Sequence, residues 1–198
     1  TPAPFYSEVL ENHIGYVRVG ALSPDNLGAL DKAMSDFATK KIDAMVIDLR
    51  ATSSSDFNLA AEVTKRFVPK GKTLWTLHKT AAHQDRAFTN DRDPGFQGTT
   101  MVLVDGETSG PAEAMAAALK AHDQALLIGQ PSAGRAVEYS DFPLTSGKVL
   151  RVAVGEVIGP NGVSLFPDGV KPDLPVELPL AQKHQIFSQS AQRGLTAF

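Results

Sequence analysis

The residues best placed to do chemistry lie in one turn, Gly106–Glu107–Thr108–Ser109–Gly110. It sits between a short apolar run beginning at Met101 and an Ala-rich stretch opening with Pro111. The pattern narrowly misses a G-x-S-x-G elbow, because Thr108 occupies the serine position. A strand that stops sharply and feeds a helix gathers small hydroxyl side chains and free backbone N–H groups at one point. Nucleophiles and oxyanion holes are built at such points, so Ser109 and Thr108 are candidate nucleophiles. A serine or threonine hydroxyl also needs a positioned base to take its proton. Spacing marks no histidine, lysine or carboxylate for that task. On the residues alone, capping of the helix by Ser109 or Gly110 is the stronger reading.

Other reactive side chains form no pattern. The five histidines are scattered. The interval from His78 to His83 fits neither a helical i,i+4 pair nor a zinc-protease motif. Asp91–Arg92–Asp93–Pro94–Gly95 has part of a calcium loop but lacks the third ligand and the distal glutamate. We expect no metal site and no cofactor. Cysteine is absent, which excludes disulfides, zinc–thiolate sites and a cysteine nucleophile. With a net charge of −3 and no basic run, nothing points to nucleic acid as a partner. No apolar run approaches the ~18 residues of a membrane span. At 198 residues and 42% hydrophobic content, a single domain with a sizeable core is expected. The chain opens at Thr1 without an apolar leader, and we read it as a mature or excised fragment.

The elements that must position the turn follow from periodicity. Residues 1–11 read as a lead-in. Residues 14–19 alternate like a half-buried strand, and Ser23–Pro24 then starts an amphipathic helix to about 40 through Leu27, Leu30, Met34 and Phe37. Residues 44–49 form a nearly continuous apolar run, the mark of a central parallel strand. A polar turn follows, with Asp56 placed to cap a helix to about Phe67. Residues 73–77 are a strand candidate, and 78–97 read as a long polar loop. Strand 101–105, helix 111–122 and a short buried strand 125–129 come next. Residues 137–144 and 149–157 make a hairpin around 145–148. Residues 169–173 lead into an edge segment, and 180–193 form a polar C-terminal helix ended by Gly194. Strand–helix alternation followed by hairpins implies an α/β layered fold, a mixed and mainly parallel sheet with crossover helices plus C-terminal β-hairpins.

The order of these blocks is familiar. Residues 14–19, 45–50, 101–119, 125–134 and Gly169–Val170–Lys171–Pro172–Asp173 together resemble the catalytic core of the C-terminal processing peptidases (tail-specific serine proteases). The resemblance covers about 13–177, with 178–198 as a tail, and implies a ClpP/crotonase-like fold. That family uses a serine nucleophile and a lysine base, with a glutamine one helical turn beyond the lysine. Its serine lies three residues before the glutamate that opens the following helix. Anchoring on Glu113 puts Gly110 at the nucleophile position, Arg135 at the lysine and Tyr139 at the glutamine. The family's Asn-Pro-Gly-Gly turn, implicated in the oxyanion hole, is matched by Ala51–Thr52–Ser53–Ser54–Ser55. A guanidinium with a pKa above ~12 does not accept a proton near neutrality.

The resemblance therefore implies a peptidase core whose own mechanism is lost, with no cofactor and a peptide or protein chain as partner. Gly110, Arg135, Tyr139, Ser54 and Ser55 would line its site, and Arg135 would favour a carboxylate or another anion near the helix N-terminus at Gly110. Two other readings stand beside it. One is an active hydrolase with Ser109 or Thr108 as displaced nucleophile. The other is an assembly domain that forms a homo-oligomer or docks with a missing N-terminal PDZ or helical module. The family also implies an extracytoplasmic location, periplasmic or secreted.

Overall fold

The computed structural model describes residues 4–79 and 84–177, together with 179 and 182. His83 and the expected C-terminal helix over 180–193 lie outside the described residues, apart from position 182. The elements in chain order are β1 (Tyr6–Leu10), β2 (Ile14–Arg18), α1 (Pro24–Thr39), β3 (Ala44–Asp48), α2 (Phe57–Thr64), β4 (Thr73–Lys79) and β5 (Arg86–Thr89). They continue with β6 (Thr99–Val104), α3 (Pro111–Ala121), β7 (Leu126–Gly129), β8 (Val137–Pro143), β9 (Val149–Ile158) and β10 (Leu174–Pro175).

Two sheets result. The larger runs β1-β2-β3-β6-β7-β10, and only its β1–β2 pair is antiparallel. The smaller runs β5-β4-β9-β8 and is antiparallel throughout. The mixed, mainly parallel sheet with crossover helices is as expected, and so is the hairpin β8–β9.

Local chemistry accounts for the helices. Ser23 caps α1, its Oγ accepting from the Asn26 N–H at 3.2 Å. Leu30, Met34 and Phe37 then turn one apolar stripe into the core. Asp56 caps α2 through the N–H groups of Asn58 and Leu59. Helix α3 is buried from Pro111 to Leu119. It packs on β7 of the larger sheet and on β4 of the smaller one, so it lies between the two layers. Its alanines permit that close approach on every side.

Three expectations need correction. The lead-in holds a strand, because β1 pairs with β2 from Tyr6↔Arg18 to Leu10↔Ile14 and its partly buried side chains cover the sheet edge. The polar stretch 78–97 holds β5, which pairs with β4. Phe88 is the only buried residue of β5, and its ring lies 5.2 Å from that of fully buried Trp75. One apolar contact within four residues leaves no period to read. Helix α2 ends at Thr64, three residues short of Phe67, and its last turn opens into non-helical turns.

Candidate active site

Strands β3 and β6 pair in parallel, with Asp48 opposite Leu103, so the loops that follow them emerge at the same sheet edge. The two loops are stitched together. The Asp105 carboxylate accepts from the N–H groups of Ala51 (3.1 Å), Glu107 (2.9 Å) and Thr108 (3.1 Å). The Ser109 N–H donates to the Thr52 carbonyl at 3.0 Å, and Ser53 bridges Ser109 in parallel register. Thr108 is fully buried. Its hydroxyl donates to the Leu49 carbonyl at 2.8 Å and accepts from the Asp105 N–H at 3.0 Å. Ser109 is partly exposed, and among the described residues its hydroxyl has no hydrogen-bond partner.

Helix α3 begins one residue later, at an N-cap without a side chain. Gly110 holds φ 64° and ψ −129°, a backbone conformation that side chains rarely adopt. A Cβ built there would lie 2.8 Å from the Ser54 carbonyl oxygen. Capping falls instead to Glu113, whose Oε2 accepts from the Gly110 N–H at 2.9 Å.

That carboxylate does more than cap. Glu113 is fully buried and also accepts from the Arg135 N–H (2.8 Å), the Gly134 N–H (2.6 Å) and the Ser132 hydroxyl (2.6 Å). Ser132 Oγ accepts in turn from the Val170 N–H at 2.8 Å. One acid therefore fixes the start of α3 against the loop that carries Arg135. Several of the donors that an anion at this helix start would seek are already taken. Gly110 donates to Glu113, Ser109 donates to Thr52, and Pro111 has no N–H.

Six of the seven candidate residues come together in one open groove of about 860 Å³: Ser54, Ser55, Ser109, Gly110, Arg135 and Tyr139. Thr108 does not line it. Glu138, Asp141 and Arg151 complete its charged wall, and among the described residues no histidine or lysine lines it. Asp141 pairs with Arg151 across the hairpin through two contacts, 2.7 and 2.8 Å. Glu138 pairs with Lys79 of β4. The Arg151 guanidinium holds the Asp141 carboxyl below its ordinary range by hydrogen bonding and charge. Arg135 is exposed and has neither an ion pair nor a side-chain hydrogen bond among the described residues.

The strand expected over 137–144 is present as β8, so Arg135 and Tyr139 are not joined by the helical turn of the family pattern. Arg135 lies in a loop and Tyr139 in β8, paired with Ala153. The β-branched, polar and aromatic residues of 137–144 alternate as a strand, and pairing with β9 secures that form. Three groups escaped sequence reasoning: the Glu113 hub, the Asp141–Arg151 pair and the Lys79–Glu138 pair. A lone acid at the third position of an Ala-rich helix is a capping signal that marks Glu113. The two ion pairs follow from sheet register alone, which spacing does not reveal.

A mainly parallel sheet layered with crossover helices, with a strand–turn–helix following its central strand β6, is a ClpP/crotonase-like fold. The chain belongs to peptidase family S41, whose family model matches residues 13–176. It is similar to a carboxy-terminal-processing protease of Bartonella bacilliformis, 28% identical over 180 residues, covering 89% of this chain and 42% of that protein. It is also similar to the carboxy-terminal processing protease CtpA of Bacillus subtilis, 25% identical over 174 residues, covering 88% of this chain and 37% of that one. The chain thus spans less than half the length of these two relatives. Among solved structures, the photosystem II D1 C-terminal processing protease superposes with a TM-score of 0.75 at 21% identity, over 89% of this chain and 48% of that one. A putative S41 protease from Bacteroides fragilis gives 0.72 at 20% identity, over 100% and 56%. These two likenesses carry the fold.

Proposed function

We propose that this S41 core domain binds a peptide or protein chain in the groove at the start of α3 and does not cut it. The observation that carries this reading is Gly110. It holds a backbone conformation open chiefly to glycine at the helix entry while offering no nucleophilic atom, and the Ser54 carbonyl occupies the space that a side chain would need. The surroundings agree. Arg135 stands where the family resemblance expects a base, and a guanidinium stays protonated. Among the described residues the groove is lined by no imidazole or amine. An extracytoplasmic setting is part of the same proposal and rests on family resemblance. Among the described residues, no helix is long and apolar enough to cross a membrane.

The test is incubation with a fluorophosphonate probe and, separately, with casein. Neither labelling nor cleavage is expected. A specific observation supports a second reading, namely the partly exposed and unpartnered hydroxyl of Ser109. Under that reading Ser109 attacks and a groove carboxylate serves as base. Both candidate carboxylates, Glu138 and Asp141, are already held in ion pairs. Labelling that vanishes in Ser109→Ala would establish this alternative and remove the first.

A further inference from the structure

We infer that Arg135 is the anchor of the groove for a carboxylate, so that its occupant is a peptide bearing that group, on its C-terminus or on an acidic side chain. The inference deepens the binding reading above and rests on it. It stands on a balance of charges. Glu138 is neutralised by Lys79 and Asp141 by Arg151. A neighbouring depression, which shares Ser55 and Glu138 with the groove, adds Arg86 and Asp56, one charge of each sign. Arg135 is the remaining charge. It has no carboxylate partner among the described residues, although it lies in a wall where the other acids are spoken for.

Its position is also secured independently of its side chain. The Arg135 N–H is bound to Glu113 at 2.8 Å, and the preceding Gly134 is bound to the same carboxylate. Gly134 holds φ 69°, and a Cβ there would fall 1.8 Å from the Pro167 carbonyl oxygen. The backbone beneath Arg135 is therefore rigid, while the guanidinium is exposed. A guanidinium presents paired N–H groups that match the two oxygens of a carboxylate. The Ser109 hydroxyl, which lines the same groove, is a further donor without a partner among the described residues. A carboxylate on the Arg135 guanidinium would be neutralised without displacing any existing bond of that side chain.

The probes are three N-acetylated oligoalanine peptides: one with a free C-terminal carboxylate, its C-terminal amide, and the amide with one internal glutamate. Binding is followed by NMR chemical-shift titration. The free acid is expected to bind the wild-type domain about tenfold more tightly than the plain amide, as one charged hydrogen-bonded contact provides. That gap should close in Arg135→Gln, which leaves the backbone bond to Glu113 in place, and should persist in part in Arg135→Lys. If the glutamate peptide matches the acid, a side-chain carboxylate suffices; if it matches the plain amide, the anchor selects chain ends. Equal binding of all three to the wild type overturns the anchor alone. A gap that survives Arg135→Gln does the same. Silence of every peptide at millimolar concentration overturns the binding reading and the anchor with it.

Discussion

The Ser54 carbonyl and Gly110 leave no room for a side chain at the start of α3: a Cβ on Gly110 would sit 2.8 Å from that oxygen, on a backbone already at φ 64°. Restoring a serine there is therefore a structural insult before it is a chemical gain. Gly110→Ser is expected to cost about 1–3 kcal/mol through backbone strain and displacement of the Ser54 loop. At ~2–4 °C per kcal/mol for a chain of this size, the melting temperature should drop accordingly. Gly110→Ser combined with Arg135→Lys should still leave casein intact, because the Ala51–Ser55 turn remains. Thermal melts and a cleavage assay check both parts. Hydrolysis by the double variant would show that the groove retains everything except those two side chains.

Glu113 holds four donors with one buried carboxylate, and its loss should be felt across the site. Glu113→Gln keeps the shape but turns an amide N–H₂ toward groups that are themselves donors. We expect a destabilisation of about 2–3 kcal/mol, and rather more for Glu113→Ala, which leaves all four donors unsatisfied in the interior. Urea unfolding measures it. A Gln variant within ~0.5 kcal/mol of wild type would contradict the hub.

His78 at the end of β4 and Asp85 just before β5 meet, Nδ1 to Oδ2 at 3.1 Å. The hydrogen bond to Asp85, reinforced by its charge, raises the His78 pKa above the ordinary 6.5. The bond to His78 likewise lowers that of Asp85. The sign follows from linkage: a raised folded-state histidine pKa adds an interaction that is fully present below pH 6.5 and fades as pH rises through the raised value. NMR titration of His78 should give a midpoint above 6.5 that falls back in Asp85→Asn. The Lys79 N–H, which donates to Asp85 Oδ1 at 3.1 Å, should exchange faster on the alkaline side. A His78 midpoint indifferent to Asp85→Asn would remove the pair.

Much of the fold could be read from local pattern, and particular residues show why. Ser23 and Asp56 announced their helices because a cap acts within three residues of itself. The run at 44–49 announced a central parallel strand because burial on both faces needs apolar side chains at nearly every position. Strand β5 stayed hidden because its single anchor, Phe88, meets Trp75 thirteen positions away across a sheet. At the site, Ser109, Gly110 and Arg135 could be named from motif and resemblance. Their gathering into one groove, and the commitment of Thr108 to the Leu49 carbonyl, depend on the pairing of β3 with β6.

By itself, then, the sequence determined the strand–turn–helix at 101–119, the residue types around it and the glycine where a nucleophile was expected. Those are matters of side-chain identity and of contacts a few residues apart. Only the tertiary structure decided which groups remain free. Glu113 takes up the donors at the helix start, Lys79 and Arg151 neutralise the groove's acids, and Ser54 closes over Gly110. Apart from Gly110 and Glu113, the partners lie 10 to 59 positions apart, and a charge or a hydrogen bond is spent only when the fold brings its counterpart within about 3 Å.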